Sequence, residues 1–292
     1  MYSVANYKKR TRAPAPIRKK LVWSSYQHDI FSEIETGDGH LIVLAVPGSG
    51  KTSTIVEANY HVPQELVSAG EVLNCAFNKD IVDALDKQLP RNIGRSTFHK
   101  LGFRNVQKYW GPIYGINGYS VDKDDVVANQ LAEEVSGSND SEELRKSLIV
   151  AMKLAKAKLA STVEEIDIIC LEHGIKTRGI NRAGFVEMVK EMMEKTLDEP
   201  GMINGKSVIS FDDMLWLPYM KGWPAARQYE YIFIDEAQDL SAVRTELVLS
   251  YLAPNGRLAA FGDRNQAIYS WAGSTNKSLI NLQLTCKQKK CH

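Results

Sequence analysis

A glycine-rich segment that ends in a Lys-Thr pair carries the most specific chemistry in the sequence. Residues 45–52 read AVPGSGKT and directly follow a short apolar run. Gly48 and Gly50 allow backbone N–H groups to close around phosphate oxygens, and a helix beginning there would present its positive N-terminus to them. Lys51 would reach the β- and γ-phosphates, and the Thr52 hydroxyl is an oxygen ligand of the kind that Mg²⁺ prefers. The segment therefore predicts a nucleoside triphosphate site.

Two adjacent acids follow a second apolar run and supply the complementary half of that chemistry. Residues 231–234 are β-branched or aromatic, and Asp235 and Glu236 come next. In phosphate-loop enzymes the first acid holds Mg²⁺ and a second acid can deprotonate the attacking water, so Asp235 is the expected metal residue and Glu236 the expected general base. Acids in the first turn of an ordinary helix are the alternative. The phosphate loop departs from the strict pattern at Ala45, yet the two motifs support each other.

Composition fits an intracellular enzyme. The chain has 292 residues with 44% hydrophobic content, enough for a large core in one or two domains. No apolar stretch of the sequence suits a membrane span or a secretory signal. The four cysteines form no CxxC pair, which favours reduced thiols. Cys286, Cys291 and His292 could be read as a metal group, but their grouping at the chain end is interpreted as incidental.

The basic charge is concentrated near the N-terminus. The whole chain has a net charge of +1, whereas residues 1–23 hold seven lysines and arginines and no acid. With Pro14 and Pro16 interleaved, this segment is interpreted as a disordered arm. A nucleic-acid contact, a localisation signal and a plain solvated tail all remain open for it.

Strand and helix patterns alternate along much of the chain. The alternation predicts an α/β fold with a parallel sheet flanked by helices and with ligands at the carboxyl ends of the strands. Helical spacing over residues 122–198 predicts a helical insertion, with a polar break at 136–141. Turns are expected at 200–205 and 254–256. The expected domains are an arm (1–23), the first part of the sheet domain (24–110), the insertion (111–206), the second part of the sheet domain (207–285) and a tail (286–292).

Taken together, the motifs resemble those of the UvrD-like superfamily I helicases, and the resemblance covers most of the chain. It implies a RecA-like ATP-binding domain. The matching segments, in chain order, are SSYQHDIF, AVPGSGKTS, CAFNKDIVDAL, STFHKLG, SFDDMLWLP, DEAQ and GDRNQAIYSW.

The resemblance assigns expected roles to particular residues. Gln27 would read adenine, and Gln266 would sense the γ-phosphate and act with Lys51, Asp235 and Glu236 in catalysis. The other residues expected to bind Mg-ATP are Pro47, Gly48, Ser49, Gly50, Thr52 and Ser53. Those expected to contact nucleic acid are Phe77, Asn78, Thr97, Phe98, His99, Tyr269 and Trp271. Aromatic rings stack on bases without sequence preference, although core packing explains Phe77, Phe98 and Tyr269 equally well, and Asp212 and Asp213 also suit a helix cap.

Departures from the family pattern limit the expected activity. Ala272 replaces an arginine, Ser53 replaces a basic residue, and no second RecA-like domain with an arginine finger follows. The expectation is a helicase half that binds Mg-ATP and single-stranded DNA, with RNA left open. Hydrolysis would be weak and unwinding minimal unless another chain supplies the second domain. A non-catalytic, nucleotide-gated binding module is the alternative. A GTPase is disfavoured because NKxD is absent.

Overall fold

The computed structural model describes residues 21–113, 123–198, 200–203, 205–263 and 282. The helices are α1 (Ser25–Thr36), α2 (Lys51–Asn59), α3 (Gln64–Ala69), α4 (Lys79–Asp86), α5 (Phe98–Trp110), α6 (Lys123–Lys158), α7 (Val163–Glu172), α8 (Arg182–Leu197), α9 (Asp213–Met220) and α10 (Ala242–Ser250). The strands are β1 (Leu41–Leu44), β2 (Val72–Ala76), β3 (Gly94–Thr97), β4 (Gly201–Ile203), β5 (Lys206–Val208), β6 (Tyr229–Ile234) and β7 (Leu252–Gly262).

Five of these strands form one sheet in the order β1-β7-β6-β2-β3. Every neighbouring pair is parallel. All residues of β2 are buried, as expected for a strand with helices on both faces. The parallel α/β fold predicted from the sequence is therefore confirmed, and the carboxyl ends of all five strands lie along one edge of the sheet.

Strand β6 shows how the two faces of the sheet are filled. Tyr231 and Phe233 pack into one core cluster with residues of α1 and α2, whereas Ile232 and Ile234 pack into another with residues of α5, α9 and α10. This alternation follows from the two-residue period of a strand. The second cluster continues into α6, α7 and α8, so the insertion shares a core with one face of the sheet.

The helical insertion predicted from the spacing is present as α6, α7 and α8, but its predicted break is wrong. Helix α6 runs through residues 136–141 without interruption. Leu131 before this segment and Leu144 after it are both buried, so tertiary packing on either side outweighs the weak helix propensity of the polar residues between them.

Two predicted turns also differ. Residues 201–203 and 206–208 form the antiparallel pair β4 and β5, and Gly205, just before β5, has a positive φ of 72°. Residues 254–256 lie inside β7, at an irregularity where the pairing moves from Leu252 to Arg257. The chain changes direction in both segments, as glycine and proline favour. Neither segment is a separate loop, however, because one joins two paired strands and the other lies inside a strand.

A buried ion cluster joins the insertion to the sheet domain. The Nζ of Lys156 on α6 lies 3.0 Å from Asp124 Oδ1 and 2.8 Å from Asp213 Oδ1, the latter at the start of α9. All three side chains are at most 1% exposed.

Helices α5 and α9 approach closely at Gly102, because this residue has no side chain. A Cβ at this position would lie only 1.9 Å from the carbonyl oxygen of Met214. Across the described ranges, no helix is both long and apolar enough to cross a membrane.

Candidate nucleotide and nucleic-acid sites

The glycine-rich segment forms an open loop between β1 and α2. Gly48 and Gly50 have φ values of 75° and 79°, a region that side chains disfavour and glycine tolerates. Gly50 is the N-cap of α2 and supplies no side chain to the first turn, so backbone N–H groups there point into the loop. A cavity of about 290 Å³ lies over the loop and is lined by Ala45, Val46, Pro47, Gly48, Gly50, Lys51, Thr52, Ser53, Glu236 and Asp263.

The two acids after β6 meet the lysine of this loop. The Nζ of Lys51 donates to Oε2 of Glu236 and lies 3.6 Å from Oδ1 of Asp235. Strands β1 and β6 are separated only by β7 in the sheet, which explains how motifs distant in sequence converge. The sheet order thus brings together the predicted phosphate-binding and acidic residues.

Glu236 is held in an unusual backbone conformation. Its φ is 51°, a left-handed value that costs free energy for a residue with a side chain. Its Oε2 also accepts a hydrogen bond of 2.8 Å from Nε2 of Gln238, and the Oε1 of Gln238 accepts one of 2.9 Å from the backbone N–H of Asp263. Gln238 therefore links the end of β6 to the end of β7.

Asp263 was missed by the sequence interpretation, although it lines the cavity and is 3% exposed. Its signal was present: it follows the apolar strand β7 just as Asp235 follows β6. Without the strand order, nothing in the sequence placed these two strand ends side by side.

The donor set near Lys51 suits Mg²⁺. Thr52 offers a hydroxyl and Asp235 a carboxylate, and hard divalent cations prefer oxygen ligands. Burial raises the pKa of Asp235 above the ordinary aspartate value, while the neighbouring Lys51 opposes the rise. A cation beside this carboxylate would favour its ionised form in the same way, so the residues present fit the ion.

Gln27 lies next to the phosphate loop, on the first turn of α1. Its Nε2 donates to Oγ1 of Thr54 at 2.7 Å, and its Oε1 accepts from the backbone N–H of Ser24 at 2.9 Å. A Cβ on Gly50 would lie 3.9 Å from the Nε2 of Gln27. The structure thus brings Gln27 within reach of the loop, with Ser24 as the N-cap of α1.

The residues after β2 and β3 form the neighbouring part of the same sheet edge. Phe77 is half-buried and its ring lies 5.3 Å from that of Phe98. Phe98 itself is only 1% exposed, so core packing accounts for it and a nucleic acid could not reach its ring in this conformation. Asn78 and Thr97 cap α4 and α5 by accepting from the N–H groups of Ile81 and Lys100.

A second cavity, of about 360 Å³, lies between this edge and the insertion. His99 stacks on the exposed Phe211 with ring centroids 3.7 Å apart, and Arg244 lies 5.1 Å from the centre of the Phe77 ring. The lining is His99, Val150, Lys153, Leu154, Lys156, Ala157, Phe211, Asp212, Leu215, Ser241, Val243 and Arg244. Proteins that bind single-stranded nucleic acids combine aromatic rings, on which bases stack, with basic groups that contact the phosphates. The lining of this cavity has both, between apolar walls. Phe211 and Arg244 were not among the predicted contacts.

Some predicted site residues lie outside the described part of the chain. They are Gln266, Tyr269 and Trp271. The basic segment before residue 21 and the terminal Cys286, Cys291 and His292 also lie outside it. Their assigned roles stay predictions.

Comparison with known proteins identifies the family of this fold and site. A family model described as the UvrD/REP helicase N-terminal domain matches residues 27–287. The chain therefore belongs to the UvrD/REP helicase N-terminal domain family, as its motifs suggested.

Individual relatives carry helicase names. The chain is 24% identical to the ATP-dependent DNA helicase Rep of Escherichia coli over 85% of this chain and 37% of that protein. It is 23% identical to the ATP-dependent DNA helicase PcrA of Leuconostoc citreum over 86% and 34%, and 27% identical to F-box DNA helicase 1 of Gallus gallus over 80% and 22%. The chain thus corresponds to about a third or less of the length of these relatives.

Proposed function

We propose that this chain is the ATP-binding half of a DNA helicase or translocase motor. It binds Mg-ATP at the phosphate loop and single-stranded DNA, with RNA not excluded, at the adjoining sheet edge, and it hydrolyses the nucleotide. The observation that carries the proposal is that Lys51 contacts both Asp235 and Glu236 at the carboxyl ends of β1 and β6, beside a cavity that Lys51 and Glu236 line.

Each residue has a role that follows from its chemistry. Backbone N–H groups of the loop and Lys51 bind the phosphates, while Thr52 and Asp235 hold Mg²⁺, which neutralises phosphate charge. A bound triphosphate would compete with Glu236 for the Lys51 ammonium, and the released carboxylate could then orient and deprotonate water. Gln238 would keep Glu236 in place through its 2.8 Å hydrogen bond.

The nucleic-acid part of the proposal rests on the second cavity. His99 and Phe211 supply rings, and Lys153 and Arg244 supply positive charge for a phosphate backbone. Phe77 adjoins this cavity through Arg244, which lies over its ring. Asn78 and Thr97 have their side chains occupied as caps, yet they mark the strand ends at which a strand of DNA would pass. Tyr269 and Trp271 are proposed to extend the aromatic surface, and Gln266 to sense the γ-phosphate.

Hydrolysis of ATP with and without single-stranded DNA tests the proposal. We expect Mg²⁺-dependent turnover that rises with DNA. Lys51→Ala should lose nucleotide binding, and Glu236→Gln should keep binding but lose turnover because it lacks a base. Full turnover by Glu236→Gln would remove that residue from its role.

Binding of Mg-ATP with no turnover under any condition would instead favour the second candidate, a nucleotide-gated nucleic-acid-binding module. The direct pairing of Lys51 with Glu236 is compatible with that candidate, because a base held by the lysine cannot act on water. The same proposal includes a second RecA-like domain, supplied by another chain, at this site. Addition of such a domain should raise the rate of ATP turnover.

A further inference from the structure

The second cavity contains a carboxylate that is not engaged by the described parts of the chain. Asp212 lines this cavity and is the N-cap residue of α9, but its side chain makes no capping hydrogen bond. Within the described ranges it forms no other hydrogen bond and no ion pair. The adjacent Asp213 differs, because it accepts from the backbone N–H of Ser210 at 3.2 Å and pairs with Lys156. The oxygens of Asp212 are therefore available to a ligand.

The surroundings of Asp212 favour a ligand that brings hydrogen-bond donors. Burial raises the pKa of Asp212, while the positive charges of Lys156, Lys153 and Arg244 lower it. Hydrogen bonds to a carboxylate are stronger in such a partly buried site than in bulk water, and N–H donors would stabilise its ionised form. An ionised carboxylate only accepts, through two oxygens that lie side by side. The ligand that fits it best therefore presents two adjacent donors.

The other walls of the cavity suit a flat, anionic ligand. His99 stacks on Phe211 with ring centroids 3.7 Å apart, yet Phe211 remains 49% exposed, so its other face is accessible to a ring. Lys153 and Arg244 supply positive charge. The volume, about 360 Å³, is within the range of small-ligand sites. A nucleotide combines a base that can stack on Phe211 with phosphates that can contact the two cations.

The donor pattern of the bases decides which of them a carboxylate can bind best. On the Watson–Crick edge, which is accessible in a single strand, guanine presents the N1–H beside the 2-amino group. Adenine and cytosine present one amino group beside a ring nitrogen that accepts, and thymine presents one N–H between two carbonyl oxygens. An ionised carboxylate therefore forms two charge-assisted hydrogen bonds with guanine, and with the other bases at most one, next to an acceptor that repels it.

We propose that the second cavity holds one base of a single strand and prefers guanine, with Asp212 accepting from the N1–H and the 2-amino group while the base stacks on Phe211. The inference rests on the proposed function, because it assumes that a single strand binds at this cavity. It adds a base preference to a site for which stacking alone predicts little preference, and Asp212 is the residue that determines it.

Short thymidine oligonucleotides that carry one central dG, dA or deoxyinosine (dI) test the proposal on the wild-type chain. Fluorescence anisotropy at one fixed salt concentration measures each affinity. We expect the dG oligonucleotide to bind about 5- to 150-fold more tightly than the dA oligonucleotide, the range for one bidentate base contact. Deoxyinosine keeps the N1–H of guanine and lacks only the 2-amino group. It should therefore lose most of the preference, although it is a purine that stacks as guanine does.

Asp212→Asn changes the hydrogen-bonding pattern at nearly constant volume. An amide offers one donor and one acceptor, a pair that the Watson–Crick edge of every base can match. The variant should therefore bind the dG and dA oligonucleotides with similar affinity. The matched control is Asp80→Asn, which removes the same charge from the exposed first turn of α4, after the neighbouring strand β2. Its dG-to-dA ratio should stay at the wild-type value.

The outcomes separate this inference from the proposed function. Equal affinity of the wild-type chain for the dG and dI oligonucleotides, or a dG preference that survives in Asp212→Asn, overturns the guanine contact and leaves strand binding in place. The comparison of dG with dI needs no variant, so it is decisive even if Asp212→Asn does not fold. Loss of the preference in Asp80→Asn would show that net charge, not the carboxylate in the cavity, sets the ratio. A wild-type chain that binds Mg-ATP and none of the oligonucleotides overturns the nucleic-acid part of the proposed function, and this inference with it.

Discussion

His99 shows how a single residue's surroundings decide its chemistry. Burial and, to a smaller extent, the nearby Arg244 lower the pKa of His99 to about 3. The imidazole is therefore neutral near pH 7 and contributes a flat ring, stacked on Phe211, to the second cavity. The positive charge that this cavity offers to nucleic acid comes from Lys153 and Arg244, because Lys156 is buried against two acids.

This lowered pKa predicts a measurable acid sensitivity. The unfolded chain binds a proton at His99 below about pH 6.5 while the folded chain does not, so stability is full above that pH and falls as the pH drops toward 3. We expect the loss from this group to approach about 1.4 kcal/mol per pH unit in that window. His99→Phe should flatten the dependence of the free energy of unfolding on pH, measured by denaturant titration. The control is the exposed His28→Phe, and equal slopes for the two variants would contradict the assignment.

At the scale of elements, the attachment of α6 to α9 depends on a buried charge. Burial alone would lower the pKa of Lys156, but Asp124 and Asp213 raise it above the ordinary lysine value. The side chain is therefore charged in the folded state and balances two buried acids. Removing one member of such a cluster leaves an uncompensated charge, which costs more than the intact cluster contributes.

Lys156→Met should therefore destabilise the protein by about 3–5 kcal/mol, although methionine fills a similar volume. The free energy of unfolding from denaturant titration checks this value. Lys153→Met is the matched control, because Lys153 lies on the same helix and is exposed. If both variants unfold at the same denaturant concentration, the buried cluster does not hold the insertion in place.

The elements that local chemistry determines were predictable, and those that depend on tertiary contact were not. The glycine loop and the apolar strand before Asp235 were both read from neighbouring residues. The continuity of α6 through 136–141 depends on packing at Leu131 and Leu144, which no local pattern reveals. Asp263 entered its candidate site only through the strand order, and Arg244 entered its site only through the packing of α10 against Phe77, because residues far apart in sequence become neighbours in the fold.

At the scale of the molecule, both candidate sites lie side by side along one edge of the sheet. The nucleotide residues follow β1, β7 and β6, and the candidate nucleic-acid residues follow β2 and β3. A physical path joins them: Glu236 leads through a turn of 3-10 helix, Ala237–Asp239, into α10, where Arg244 covers Phe77. The backbone N–H of Asp235 also donates to the carbonyl of Cys75 on β2, at 3.4 Å. A change at Glu236 on nucleotide binding can thus reach Phe77 through directly connected groups.

This arrangement predicts thermodynamic coupling between nucleotide and single-stranded DNA. A non-hydrolysable ATP analogue should change DNA affinity by a factor of about 5 to 150, and DNA should change analogue affinity by the same factor, because coupling is reciprocal. Fluorescence anisotropy with labelled DNA and with labelled nucleotide, at one fixed salt concentration, measures both sides. Lys51→Ala should abolish the coupling while keeping the basal DNA affinity, since it removes a phosphate contact in the nucleotide cavity, whose lining does not include Phe77. Glu236→Asp, which keeps the acid but shortens its reach, should retain DNA binding and weaken the coupling. Identical DNA affinity with and without the analogue would show that binding at the two sites is not thermodynamically coupled, although both lie at one edge of the sheet.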